Sequence, residues 1–271
     1  MVELFEKDII ETENKSSKGN QLKWRNGDEW YKADYTGYEG LAEYVISHLI
    51  MKSSLSEDEF LLYDLENIKY KRNVFHGVRS KNFLKDKWQL ITLERLFKNA
   101  YGRSLNSMIY SISNKENRLK TLVEETMRVT GLKEFGAYMS KVITIDSLFL
   151  NEDRHTHNIA VLVNDRGEYG LCPIFDQGAG LLSDTTLDYP IGGDIYEMIN
   201  SVRPKTFCDD FFEQLEIAEK LYGQNIEFNF TKRDVDAVLD NVPSDSYSNE
   251  IIDRVRIICY ERMRQMNYLF V

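Results

Sequence analysis

Between Phe135 and Phe149 the apolar residues Phe135, Tyr138, Met139, Val142, Ile145 and Phe149 recur at three- and four-residue spacing. The stripe stops at the polar run Asn151-Glu-Asp-Arg-His-Thr-His-Asn158. That spacing predicts a helix with a broad apolar face, which other parts of the chain must cover. Just after the polar run, Asn158–Val163 and Tyr169–Phe175 read as two extended runs around Asn164-Asp-Arg-Gly167, a hairpin pattern. If the turn centres near Arg166, Asn158 lies eight residues before it and Asp176 ten after it. An antiparallel ladder would then carry both to its open end, with Asp153 in the loop that feeds that end.

The first third has strand character. Leu4–Glu11 can form a strand, Asn14–Asn20 is a polar turn, and Gln21–Arg25 resumes an extended pattern. Asn26-Gly27 predicts a type I′ hairpin that returns Glu29–Asp34 along Gln21–Arg25. After Gly37 the period changes: Tyr38, Leu41, Ala42, Val45, Ile46 and Leu49 predict an amphipathic helix ending near Met51. Phe60–Asp64 reads as a further strand and Leu65–Lys71 as a crossing between lobes. Leu90–Ala100 and Arg118–Val129 are candidate helices, and the stretch from Asp209 to Val271 has room for about three more, including Asn249–Leu269. The expected architecture is α+β, with a small β-rich N-terminal lobe (1–66) and a larger, mainly helical C-terminal lobe (67–271).

The formal net charge of -10 argues against a protein that binds nucleic acid through its overall field. One segment runs the other way: Glu66–Arg103 holds ten Lys/Arg against three Asp/Glu. It either faces an anionic substrate or is a solvated helix face. The three cysteines, Cys172, Cys208 and Cys259, have no paired spacing and read as buried thiols. No stretch approaches the roughly 20 apolar residues of a membrane span. A cytoplasmic location is the expectation, with secretion as an effector left open.

Asp153, Asn158 and Asp176 are three oxygen-bearing side chains of the kind magnesium prefers, since that ion takes one or two protein oxygens and leaves the rest to phosphates and water. In that reading Asn158 and Asp176 hold the ion, while Asp153 orients an acceptor hydroxyl and takes its proton. Two other readings stand beside it: a zinc site using the His155-x-His157 spacing, and simple helix capping by Asn151 and Asp153.

The order Asp-x-His-x-x-Asn, then a hairpin, then Asp176-Gln-Gly-Ala-Gly180, resembles the HipA-type serine/threonine kinases, including the shorter CtkA-like members. Ser16-Ser-Lys-Gly-Asn-Gln21 and Trp30-Tyr-Lys-Ala-Asp34 extend the likeness upstream. The resemblance implies a two-lobed protein-kinase-like fold and a serine/threonine protein kinase using ATP and Mg2+. It places Asp153, His155 and Asn158 in the catalytic loop, and makes Asn158 and Asp176 the metal ligands. Ser17, Lys18, Gly19, Asn20 and Gln21 would cover the phosphates. Lys32 would bind the phosphates and pair with Glu43, with Glu39 as the competing choice; Tyr63, Leu65 and Asp176 complete the nucleotide contacts. Ser16 or Ser17 would be autophosphorylated. His157 stands where HipA itself has a lysine. The N-terminal subdomain of full-length HipA proteins has no counterpart in this sequence, so the resemblance implies that a partner protein supplies it or that it is dispensable; an antitoxin partner is a further expectation. The alternatives are a small-molecule or lipid kinase on the same fold, and a non-catalytic nucleotide-binding partner in a toxin–antitoxin pair.

Overall fold

By its internal contacts the chain divides into two units, discontinuous in sequence, in a computed structural model that describes residues 1–10 and 21–271. The first unit comprises 1–82, 175–202 and 227–271; the second, 83–174 and 203–226.

The first unit is built on a five-stranded sheet in the order β1 (Val2–Leu4), β4 (Asp64–Tyr70), β5 (Asn73–Lys81), β3 (Glu29–Ala33), β2 (Lys23–Asn26). Only β1 and β4 run parallel. Alternate residues from four strands, Leu4, Trp24, Tyr31, Ala33, Ile68 and Tyr70, form one buried cluster, as the two-residue period of a strand requires. Helix α1 (Glu39–Ile50) lies almost wholly within the core, from Leu41 to Ile50. The unit also holds α6 (Ile195–Ser201), α8 (Lys232–Asp240) and α9 (Asn249–Gln265).

Several local expectations change here. Leu4–Glu11 is not one strand: β1 ends at Leu4, a short 3-10 turn covers Glu6–Asp8, and Glu11 lies outside the described residues. In the first hairpin Asn26 pairs with Glu29, so the two-residue loop is Gly27-Asp28. Gly27 has φ 62 and Asp28 is not among the positive-φ residues, which is the type II′ pattern rather than I′. Leu65–Lys71 is no crossing segment; most of it is the body of β4, followed by β5 through a turn at Lys71 with φ 55.

In the second unit β6 (Trp88–Thr92), β7 (Ala160–Asn164) and β8 (Tyr169–Leu171) form an antiparallel sheet. The pairs Val161–Leu171, Leu162–Gly170 and Val163–Tyr169 centre the hairpin on Arg166, as its sequence predicts. The Asn164 side chain accepts from the amides of Arg166 and Glu168, and Gly167 supplies the left-handed residue. The helices are α2 (Leu93–Tyr101), α3 (Leu105–Tyr110), α4 (Lys115–Thr130), α5 (Phe135–Phe149) and α7 (Phe211–Tyr222). The expected helix at Leu90–Ala100 starts later, because Leu90–Thr92 belong to β6 and the Thr92 hydroxyl caps α2 by accepting from the Arg95 amide. All three cysteines are free and buried. No helix among the described residues is long and apolar enough to cross a membrane.

Candidate active site

The expected site residues fall into two groups, one in each unit. In the first unit Lys32 projects from β3, and its ammonium lies 2.5 Å from Glu43 Oε1 and 2.8 Å from Asp176 Oδ1. Glu43 sits one helical turn into α1, facing the sheet, with its side chain 2 % exposed. Glu39, the competing partner, is occupied elsewhere: its carboxylate accepts from the amides of Tyr35, Thr36 and Gly37 and from the Thr36 hydroxyl. Those donors lead into the N-terminus of α1, where a carboxylate is favoured by unpaired amides and the helix dipole.

The Tyr63 ring lies beneath the Lys32 ammonium at 5.2 Å, and the Asp176 amide donates to the Tyr63 hydroxyl at 3.4 Å. Burial by itself would lower the Lys32 pKa, but the charges of Asp176 and Glu43 outweigh it and hold the amine well above the ordinary lysine value. Asp176 reaches Lys32 from a left-handed backbone, φ 64, a conformation aspartate tolerates better than most residues. Leu65, partly buried on β4 opposite Val78, borders a cleft of about 200 Å³ that includes Asn67, His76 and Tyr247. Ser16, Ser17, Lys18, Gly19 and Asn20 lie outside the described residues, and Gln21 resumes the chain just before β2.

In the second unit the loop from Asn151 to Asn158 is fastened to the end of α5. Leu150, at φ 57, terminates the helix, and the amides of Leu150 and Asn151 both reach the Asp146 carbonyl. The Asp146 carboxylate is the anchor. It accepts two hydrogen bonds from the Arg154 guanidinium, at 2.8 and 3.0 Å, and one from Asn151 Nδ2 at 2.8 Å. Arg154 also reaches across the loop to the Asn158 carbonyl at 2.9 Å. The Asp153 carbonyl accepts from the His155 amide and from Asn158 Nδ2. Asp153 is 7 % exposed in this hydrogen-bonded loop, with His155 Nε2 3.7 Å from its Oδ1. Thr156 is held by Glu94, whose carboxyl burial would raise, but which hydrogen bonds from Ser104, Asn106 and Thr156 bring below its ordinary value.

Asn151 thus has the structural role that capping would give it. Asp146 and Arg154 are missing from the expected site, although the former had a signal: it is the single acidic residue in the helix Phe135–Phe149. The His155-x-His157 pair is not part of a metal-ligating cluster among the described residues. The one group with suitable spacing is Cys208, Asp209 and Glu213, and there Lys115 lies 2.7 Å from both carboxylates. Asp176 in the first unit offers a carboxylate oxygen and Asn158 in the second an amide oxygen, each of the kind magnesium takes.

No protein-family model matches the sequence, and no curated protein matches it. Solved structures do. The crystal structure of CtkA, a proinflammatory kinase of Helicobacter pylori, matches over 97% of this chain and 94% of its own, at 20% identity and a TM-score of 0.59. A structure of the HipA–HipB toxin–antitoxin system of Shewanella oneidensis MR-1 with its operator DNA matches over 97% of this chain and 63% of that one, at 10% identity and a TM-score of 0.45. A hydra Fam20 structure with sugar matches over 93% and 84%, at 10% identity and a TM-score of 0.39. The likeness to CtkA is one of fold: the chain has the α+β, kinase-like fold expected from its sequence.

Proposed function

We propose that the chain is an ATP- and magnesium-dependent serine/threonine protein kinase of the HipA/CtkA-like type. The observation that carries this reading is the Lys32 ammonium held at once by Glu43 and Asp176. A lysine fixed by a helix glutamate and adjoining a metal-binding aspartate is the arrangement that phosphoryl transfer needs, because catalysis there rests on positioning and charge neutralisation. The kinase-like fold supports it.

In this mechanism Lys32 binds the nucleotide phosphates, and Glu43 fixes its direction. Asp176 and Asn158 would be the magnesium ligands, and the ion would supply neutralisation of the phosphate charge. Asp153 orients the acceptor hydroxyl and takes its proton as the oxygen bonds to the γ-phosphorus and the bond to ADP breaks. The Asp146–Arg154 pair and the Asn158–Asp153 hydrogen bond keep that loop in shape. Ser16 and Ser17 are the autophosphorylation candidates.

Transfer from γ-labelled ATP to a serine-containing acceptor, measured for wild type, Asp153→Asn and Asp176→Asn, tests the proposal. Each substitution is expected to lower the rate by about 10²-fold or more. Equal activity in all three proteins would remove the assignment.

A further inference from the structure

Residues 181–190, which follow Asp176, are fastened to the entrance of α1, the helix that carries Glu43. Gly37 and Asp184 form an antiparallel bridge, the Tyr38 amide donates to the Ser183 carbonyl, and the Thr186 amide and hydroxyl both donate to the Thr36 carbonyl. The contact is too close for any side chain at Gly37, where a Cβ would stand 1.9 Å from the Ser183 carbonyl oxygen. A second layer lies below it. The Tyr38 hydroxyl donates to the Leu181 carbonyl at 2.6 Å and accepts from Arg254 Nε at 3.1 Å. The same guanidinium donates to the carbonyls of Tyr189 and Pro190 and touches the Met198 sulfur.

Three features mark this as more than loop packing. Arg254 is 5 % exposed, and among the described residues none of its hydrogen-bond partners is a carboxylate, so a buried charge is spent on the Tyr38 hydroxyl and on backbone carbonyls. Leu181 and Leu182 are both fully buried with φ 54 and 55, and consecutive left-handed residues of this kind persist only where the surroundings impose them. Finally, Gly178, between Asp176 and the strap, runs close to α1: a Cβ there would stand 3.4 Å from both Glu39 Cβ and Glu43 Oε1.

We propose that Tyr38 and Arg254 are positioning residues which, through the strap 181–190, hold Glu43 and Asp176 on Lys32 together. The strap fixes both ends of one arrangement: α1 at its first turn and the Asp176 segment at its exit. Loosening it releases both carboxylates from the lysine in a single step. As a statement about catalysis this rests on the kinase reading above; as a statement about Lys32 it does not.

The test is the reactivity of Lys32 with an amine-labelling reagent, read by mass spectrometry on the full-length protein without nucleotide. With both carboxylates in place the amine is hydrogen-bonded on two sides and shielded from the reagent. Without them it loses both partners and is open to attack. Tyr38→Phe and Arg254→Met are expected to raise the Lys32 labelling rate roughly three- to tenfold, the worth of one hydrogen bond. Thr186→Val should do the same while Thr186→Ser restores protection, and this milder pair keeps the test in force if the buried variants fold poorly. Arg262→Met, an equally buried arginine on α9, controls for general loosening and should leave Lys32 protected. Unchanged labelling in folded Tyr38→Phe and Thr186→Val overturns the proposal. Increased labelling in a protein that transfers no phosphate would uphold the strap and remove the kinase reading.

Discussion

Asp146 and Arg154 show how single side chains set the shape of the loop Asn151–Asn158. They are 0 % and 2 % exposed, and the carboxylate has both the arginine and Asn151 to satisfy it. Breaking such a pair leaves an uncompensated buried charge, so Asp146→Ala is expected to cost about 3–5 kcal/mol in urea unfolding. The double variant Asp146→Leu/Arg154→Met should lose clearly less than the sum of its single changes; strict additivity would mean that the pair is not coupled. Asp34 offers a pH test. It follows Lys32 by two residues and accepts from the Gly40 amide and the Tyr247 hydroxyl. Burial, with the nearby negative charge of Glu39, pushes its pKa up to about 7. A raised folded pKa means that the native state favours the proton. The stabilising contribution is thus full below the unfolded value near 4 and is lost as pH rises through about 7. Asp34 is only partly buried, so the loss between pH 5 and pH 8 is set at about 1–2 kcal/mol and should vanish in Asp34→Asn. An identical pH profile in the variant would contradict this assignment.

Among the elements, close backbone approach does work that side chains cannot. At Gly77 on β5, a Cβ would lie 2.1 Å from the Lys32 carbonyl oxygen of β3, whereas at Gly192 nothing lies within 4 Å. Gly77→Ala is expected to destabilise by about 2 kcal/mol or more and Gly192→Ala to stay within about 0.5 kcal/mol, measured by thermal or urea unfolding. Elements with a clean period were legible in the sequence. The stripe Phe135–Phe149 and the run from Tyr38 to Leu49 appear as helices α5 and α1, and Asn164–Gly167 closes the hairpin it predicts. Elements without such a signal were not. The turn from β4 to β5 uses Lys71 in a left-handed conformation in place of glycine or asparagine, so nothing in the sequence separates the two strands. For the candidate site, the resemblance to the HipA-type kinases singled out Lys32 and Glu43. The choice between Glu39 and Glu43 needed the helix register against the sheet, and the roles of Tyr38 and Arg254 depend on tertiary contacts between segments far apart in sequence.

At the scale of the whole chain, four of the ten basic residues of Glu66–Arg103 stand in ion pairs among the described residues. Lys69 pairs with Glu3, Lys71 with Glu6, Arg79 with Glu29, Asp64 and Glu66, and Lys87 with Asp165, most of these at exposed positions. Surface pairs of this kind contribute little each. The proposed function rests on the kinase-like fold and on the cluster around Lys32. The most direct measurement is ATP affinity in the presence and absence of Mg2+ for wild type, Lys32→Met and Asp176→Asn. Magnesium-dependent ATP binding by the wild type is expected, with a loss of about tenfold or more in Lys32→Met and a loss of the magnesium dependence in Asp176→Asn. ATP binding of equal strength in all three, or none by the wild type, would contradict the kinase reading.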